Sequence, residues 1–401
     1  MTATRHITLP AGFVAAGVKC GIKQSGKEDL AIIAAERKAA AALLTTRNQV
    51  VGAPVLWCRS VLPRGYGRAR GIVINSGNSN ACTGPAGLRD AANMARRTAE
   101  CLGVTAEEVL VASTGVIGHR LPMAKIHRGI AAAAAALGRN KDVAVLRSIM
   151  TTDLREKSAV VRRRIGGVPF TMAGIVKGSG MIAPSLATMI AVVTTDLSVS
   201  PAALHSALGR AARTTFNAVT VDSDTSTSDT VLVLASGAAG NVPIARHSKA
   251  FAGLCGALEE VCGELARAVV ADGEGATKVI RITVRGARND ADAEAAAKSV
   301  ANSPLLKCAV HGGDPNWGRI VMALGKSAAK VEPGKLSVRI GGATVFARGV
   351  GGTFDLKKVE THMAGTSVEI ECNLGLGRAA FTAWTCDLSR EYVTINADYH
   401  T

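Results

Sequence analysis

The sequence predicts a mixed α/β chain of two domains, and three features predict it. Short β-prone runs alternate with longer stretches of helical spacing. The 401 residues exceed what one hydrophobic core usually organises, so two domains are the natural division. With 48% hydrophobic residues and a mean hydropathy of +0.22 there is ample material to bury. Aromatics are only 3%, so the cores must be built from Ala, Val, Ile and Leu.

The elements follow in order. Gly71-Ile72-Val73-Ile74 reads as a strand entering a polar Asn/Ser/Gly loop, and residues 91–102 carry helical spacing. A short strand at 109–112 ends at Ser113-Thr114-Gly115. Residues 128–137 are helical and rich in alanine, the strongest helix former. Residues 158–164, which hold Arg162-Arg163-Arg164, pair with 168–176 as a hairpin across Gly166-Gly167. A strand at 189–195 is followed by a helix at 201–214, a strand at 230–235 and a long helix at 248–270. Strand 278–284 closes this part, and the charged segment 285–294 marks a boundary. Beyond it a helix at 291–300 precedes strands at 336–341, 367–372, 379–386 and 391–395. The domains are therefore placed at 1–285 and 286–401, with no internal repeat.

Residues 177–188 are the most informative segment: Lys-Gly-Ser-Gly-Met-Ile-Ala-Pro-Ser-Leu-Ala-Thr, running into the apolar strand that starts at Met189. Gly178 and Gly180 permit backbone angles that other residues resist, and Pro184 fixes one more dihedral. Small Ala187 leaves its carbonyl open to attack by Thr188 Oγ, whose β-branch restricts where it points. If the Ala187–Thr188 bond breaks, Thr188 carries a hydroxyl nucleophile and an α-amine base on one residue. Such an amine titrates at about 7.7–8.0, so much of it is neutral near pH 8. From the residues alone, the segment is either such a cut site or an ordinary glycine loop before a strand.

Composition narrows the alternatives. Forty-seven basic against 31 acidic residues give a net charge of +16 and a pI near 9.7. The basic residues are dispersed and few aromatics are present for bases to stack on, so nucleic acid is not the expected partner. Attraction of small anionic metabolites is the milder reading. No run of 18 apolar residues occurs, so no membrane span is expected, and residues 1–6 lack the layout of a secretion signal. The nine cysteines are widely spaced without a Cys-x-x-Cys pair, which points to a reducing, cytoplasmic setting. Most of them, Cys82 included, are expected as small core residues.

Three other motifs fail. Residues 222–226 open like a calcium loop, but the sixth position is Thr227 and the twelfth Val233, so a hydrogen-bonded turn is expected. Gly178-Ser179-Gly180 lacks the ending of a phosphate loop. The eight histidines show no metal-ligand spacing, and no metal or organic cofactor is expected.

Nine blocks, spread from end to end, carry a resemblance. They include Ala16-Gly17-Val18-Lys19-Cys20-Gly21-Ile22-Lys23, Asn75-Ser76-Gly77-Asn78 within 74–84, Ser113-Thr114-Gly115-Val116-Ile117-Gly118 and Met150-Thr151-Thr152-Asp153. The others are 177–189, 220–227, Asp272-Gly273-Glu274-Gly275 within 272–278, Asp314-Pro315-Asn316-Trp317-Gly318-Arg319, and 392–401. In their order and coverage they resemble the ornithine acetyltransferases, or glutamate N-acetyltransferases, of arginine biosynthesis. The resemblance implies a layered α/β sandwich of the N-terminal-nucleophile type, shared with aminopeptidases, and a smaller C-terminal α+β domain.

It also implies roles. Thr188 is the nucleophile, exposed by cleavage after Ala187, and Thr114 and Gly115 form the oxyanion hole. Thr151, Thr152, Lys177, Thr188, Glu274, Asn396 and Thr401 contact substrate, with Glu274 meeting an ammonium group of ornithine. Without the resemblance, Thr114-Gly115 is an ordinary strand end, Lys177 and Glu274 are solvated charges, and Thr401 is a frayed tail. The chain departs from the family at Leu154-Arg155-Glu156-Lys157, usually opened by a smaller polar residue. It departs again at His311-Gly312-Gly313, where an acidic residue is usual at the second glycine. The implied reaction carries acetyl from N2-acetylornithine to glutamate through acetyl-Thr188, with acetyl-coenzyme A as a further donor in some members. The implied assembly is an α2β2 heterotetramer of 1–187 and 188–401. The alternatives are an aminopeptidase or amidohydrolase of the same architecture, and a basic binding protein without catalysis.

Overall fold

The computed structural model describes residues 5–183 and 189–398. Ala187, Thr188 and Thr401, three of the residues singled out above, lie outside the described residues. Eight strands build the first sheet: β1 (Phe13–Val18), β2 (Leu30–Thr45), β3 (Tyr66–Asn78), β4 (Val109–Val116), β5 (Ser158–Ile165), β6 (Val168–Lys177), β7 (Ile190–Thr195) and β8 (Thr230–Ala235). Their order is β4-β3-β2-β8-β7-β6-β5, with β1 antiparallel to the first part of β2. The pairs β3–β4 and β7–β8 are parallel.

Every residue of β7 and β8 is buried, because each face of the sheet meets its own core. Ala191, Val193, Val231 and Val233 pack with Leu204, Leu208, Leu258 and Val261 of the helices Pro201–Thr214 and Phe251–Ala271. Ile190, Val192, Leu232 and Leu234 face the opposite core with Val145, Leu146 and Ile149 of the helix Asp142–Ile149. Two covered faces explain why these strands read as unbroken apolar runs rather than alternating ones.

The second sheet holds β9 (Val279–Ala287), β10 (Ser337–Ile340), β11 (Ala343–Ala347), β12 (Val350–Gly351), β13 (Ser367–Asn373) and β14 (Ala379–Cys386), in the order β12-β11-β10-β13-β9-β14. It packs against alanine-rich helix Asp290–Ala301 and the helices Pro304–Gly312 and Trp317–Gly325. No helix among the described residues is long and apolar enough to cross a membrane.

Three expectations are corrected here. The strand read at 278–284 does not close the first sheet. It runs on to Ala287 as β9 between β13 and β14, because Ile280, Ile282 and Val284 belong to the second core. Residues 391–395 are not a strand but part of a helix, Arg390–Asp398, with no buried residue and Val393 exposed. The helical turn sets Tyr392 and Asn396 on one face, and both reach loops of the first sheet. Cys58, Cys262, Cys372 and Cys386 are core residues as expected, whereas Cys82 and Cys308 are exposed.

Candidate active site

Parallel pairing of β3 and β4 sets Ser76 opposite Thr114 and Gly77 opposite Gly115. The approach at the glycines is close. Gly115 has φ +127°, and a Cβ on it would stand 2.4 Å from the carbonyl carbon of Gly77. Only glycine fits that conformation and that space. The neighbouring Thr114 side chain is buried, and its Oγ1 accepts a 3.3 Å hydrogen bond from Lys177 Nζ at the end of β6. A hydroxyl that accepts through a lone pair keeps its own O–H to donate elsewhere.

Lys177 is itself buried, at 3% exposure. Burial pushes its ammonium toward losing its proton and Lys157 adds to this. Asp153, Glu274 and Asp229 oppose the shift without cancelling it. Asp153 is the hub of the surrounding charges. Its Oδ2 accepts from the Thr151 N–H (2.8 Å), and its Oδ1 from Lys157 Nζ and the Gly178 N–H (both 2.7 Å). Burial alone would raise this carboxyl, but Lys177, Lys157 and the Gly178 N–H outweigh it and hold it at about 2. Lys157 also meets Asp272 Oδ2 at 2.5 Å, and Asp272 caps the backbone N–H groups of Leu154 and Arg155. A buried cation between two buried carboxylates, each with backbone donors, satisfies the pairing that interior charges need.

The opposite wall comes from the loop after the helix Phe251–Ala271. Glu274 N–H donates to the Ser179 carbonyl (3.0 Å), and Asn396 Nδ2 donates to Glu274 Oε2 (2.9 Å). Thr152 Oγ1 and Ser179 Oγ lie 2.7 Å apart. Together these elements enclose a cavity of about 140 Å³. Thr114, Gly115, Thr151, Thr152, Lys177, Glu274 and Asn396 all line it. The structure thus brings together every residue singled out from the sequence that lies among the described residues. Larger clefts occur, such as one of about 490 Å³ lined by Arg96, Arg97 and Arg128, but it lies on helix surfaces apart from these groups.

Sequence reasoning missed the supporting residues: Lys157, Ser179, Asp222 and Asp229, and the part that Asp153 and Asp272 take. Asp222 holds the N–H groups of Met181 (2.6 Å) and Ile182 (2.8 Å), and Asp229 holds that of Met189 (3.0 Å). Two carboxylates therefore pin the chain on both sides of residues 184–188. Asp222 and Asp224 form the hydrogen-bonded turn expected there. Four of these six residues, Asp153, Ser179, Asp222 and Asp272, fall inside the matching sequence blocks, which was the signal for them; Lys157 and Asp229 fall outside.

A two-sheet layered fold, with a hydroxyl, a glycine backbone and a buried lysine pushed toward losing its proton converging on a small polar cavity, suits an acyl-transfer enzyme. Known proteins agree: residues 14–401 match the model of the ArgJ family. The arginine biosynthesis bifunctional protein ArgJ of Symbiobacterium thermophilum is 46% identical over 403 residues, covering 98% of each chain. A solved chain of arginine biosynthesis bifunctional protein ArgJ from Bacillus halodurans is 38% identical with a TM-score of 0.50. It is matched over 97% of its own length but covers 51% of this chain. An ornithine acetyltransferase from Mycobacterium tuberculosis, solved with ornithine, is 44% identical with a TM-score of 0.42, covering 45% of this chain and 95% of that one. The chain is an acyltransferase, and it belongs to the ArgJ family.

Proposed function

We propose that this chain cuts itself between Ala187 and Thr188 and then carries the acetyl group of N2-acetylornithine to glutamate on Thr188. The observation that carries the reading is the convergence of seven residues on one cavity, with Lys177–Thr114 on one wall and Glu274–Asn396 on the other. Thr188 Oγ attacks the acetyl carbonyl, and its proton passes to the threonine's own amine. Negative charge develops on the former carbonyl oxygen. Thr114 donates its free O–H there, fixed by Lys177, beside the N–H of Gly115. The C–N bond then breaks, the proton leaves with the ornithine amine, and acetyl remains on Thr188. Glutamate repeats the steps in reverse. Glu274, oriented by Asn396, meets the side-chain ammonium of ornithine.

Two further observations support the cut. A solved relative is matched over 97% of its own length yet covers 51% of this chain, the proportion that one product of a cut near the middle would have. The sheet order also interleaves the two products: β7 and β8, after the cut, lie between β2 and β6, before it. They would stay one folded unit and could assemble as α2β2. Incubating the protein with acetylornithine, with and without glutamate, tests the reading. Ornithine release that depends on glutamate is expected, and acetyl-coenzyme A can be supplied as donor in the same assay. Equal release without glutamate would point to an amidohydrolase instead.

A further inference from the structure

The sequence block 16–23 takes no part in the catalytic cavity, yet its last residue lines a second cavity beside it. Buried Asp29 gathers this loop. Its Oδ1 accepts the N–H of Cys20 (2.6 Å), and its Oδ2 those of Gly21 (3.0 Å), Ile22 (2.6 Å) and Lys23 (3.1 Å). Four backbone donors on one carboxylate fix where the Lys23 side chain starts. The stem then crosses Gly77, where a Cβ would stand 3.2 Å from Lys23 Cγ, and Gly77 is the partner of Gly115 across the strands. Lys23 is half-buried, and Nζ donates to two backbone carbonyls, those of Glu28 (2.7 Å) and Arg147 (3.4 Å). An ammonium has three donors, so one is left. Burial lowers this ammonium to about 8 and Lys177 adds to the shift, against Asp29, Asp153 and Glu28. The second cavity measures about 440 Å³, and Thr151 lines both it and the catalytic one. On its wall Arg147 is paired with Glu156 (2.6 Å) and Asp153 with Lys157 (2.7 Å). Lys23, Lys27 and Glu28 are the charged lining groups without an ion pair among the described residues. Two cations thus face one carboxylate, which leaves room for an added anion.

The proposed reaction sets a problem of charge. Donor and acceptor both carry the acetyl group on the α-nitrogen, so their α-amines share one place beside Thr114 and Gly115. Their side chains end in opposite charges. The Glu274–Asn396 wall suits the ammonium of ornithine and repels a carboxylate brought to the same spot. We infer that Lys23, with Lys27 beside it, is the specificity-determining site for the side-chain carboxylate of the acceptor, which keeps its α-amine in the catalytic cavity and extends past Thr151. The inference rests on glutamate being that acceptor. Asp29 sets the position of Lys23, and the donor left over on Nζ meets the carboxylate. Each substrate then has a wall of opposite charge, and neither side chain needs the other's.

Lys23→Met keeps the stem over Gly77 and removes the charge. The experiment measures kcat/KM of the whole wild-type and variant proteins for glutamate and for its uncharged isostere glutamine, with acetylornithine as donor. In a two-step transfer this quantity reports the acceptor half-reaction alone. The glutamate-to-glutamine ratio is expected to fall about 10- to 100-fold in Lys23→Met, the range for losing a charge-assisted hydrogen bond. A merely structural loss would lower both values alike and leave the ratio where it was. Lys23→Arg, which keeps the charge, should retain most of the preference. A Lys23→Met ratio within about twofold of wild type overturns the inference. Should that variant fail to fold, carbamoylation of wild-type Lys23 by cyanate, read by peptide mass spectrometry, decides. Glutamate is expected to slow it and ornithine to leave it unchanged; equal rates with all three, or equal slowing by both, overturn the inference. Failure of the underlying reading looks different: wild-type protein then releases ornithine equally with and without an acceptor.

Discussion

Glu274 occupies the space that a side chain at residue 180 would need: a Cβ on Gly180 would stand 2.2 Å from Glu274 Oε2. Gly180 therefore sets where the carboxylate of the far wall rests. Gly180→Ala should push Glu274 off its hydrogen bond with Asn396. If Glu274 holds the ornithine ammonium, losing that charge-assisted contact costs about 1.5–3 kcal/mol. KM for acetylornithine should then rise about 10- to 100-fold in steady-state kinetics. Glu274→Gln should do the same, and a KM within about twofold of wild type in both would remove Glu274 from substrate binding.

Thr114→Val keeps the shape of the buried side chain and deletes the hydroxyl that Lys177 meets. If Thr114 is an oxyanion donor, its loss costs about 100- to 1,000-fold in kcat. Turnover should fall by that factor with KM nearly constant. The cut should slow as well, read as a larger uncut fraction in intact mass, because both reactions pass through an oxyanion.

Asp153 makes the fold sensitive to acid. Its folded value is about 2 against an ordinary 3.8. A depressed carboxyl contributes stability that is complete above the unfolded value and is lost as pH falls through about 4 toward 2. At 1.36 kcal/mol per unit this is about 2 kcal/mol. Asp153→Asn should flatten that part of the curve in urea unfolding at stepped pH. At pH 7 it should destabilise by about 3–5 kcal/mol, since Lys157 and Lys177 then lose a buried partner.

If the chain is cut after Ala187, the interleaved sheet predicts how the products behave. Residues 1–187 and 188–401 should elute as one species in size-exclusion chromatography under native conditions and separate in denaturant. Dissociation without denaturant would contradict the pairing of β7 with β6 and of β8 with β2.

How far the sequence revealed this arrangement varied with the physics of each element. The strands at 190–195 and 230–235 and the helix at 201–214 were legible, because covered faces give long apolar runs and amphipathic helices give their own spacing. The central strand β2 was not: Ala39, Ala40, Ala41 and Ala42 have the composition of a helix and become a strand only through pairing with β3 and β8. Tyr392-Val393-Thr394-Ile395 misled in the opposite sense, since β-prone residues on an exposed segment find no strand to pair with. The residues of the cavity were reached through resemblance, as hydroxyls and charges have no period of their own. Asp229 carried no signal at all, because its hold on the Met189 N–H exists only in three dimensions.

Intact mass spectrometry of the purified, active protein tests the central claim most directly. Two chains are predicted, one ending at Ala187 and one beginning at Thr188, with Thr188→Ala remaining whole and inactive. A single unbroken polypeptide with full activity would contradict it.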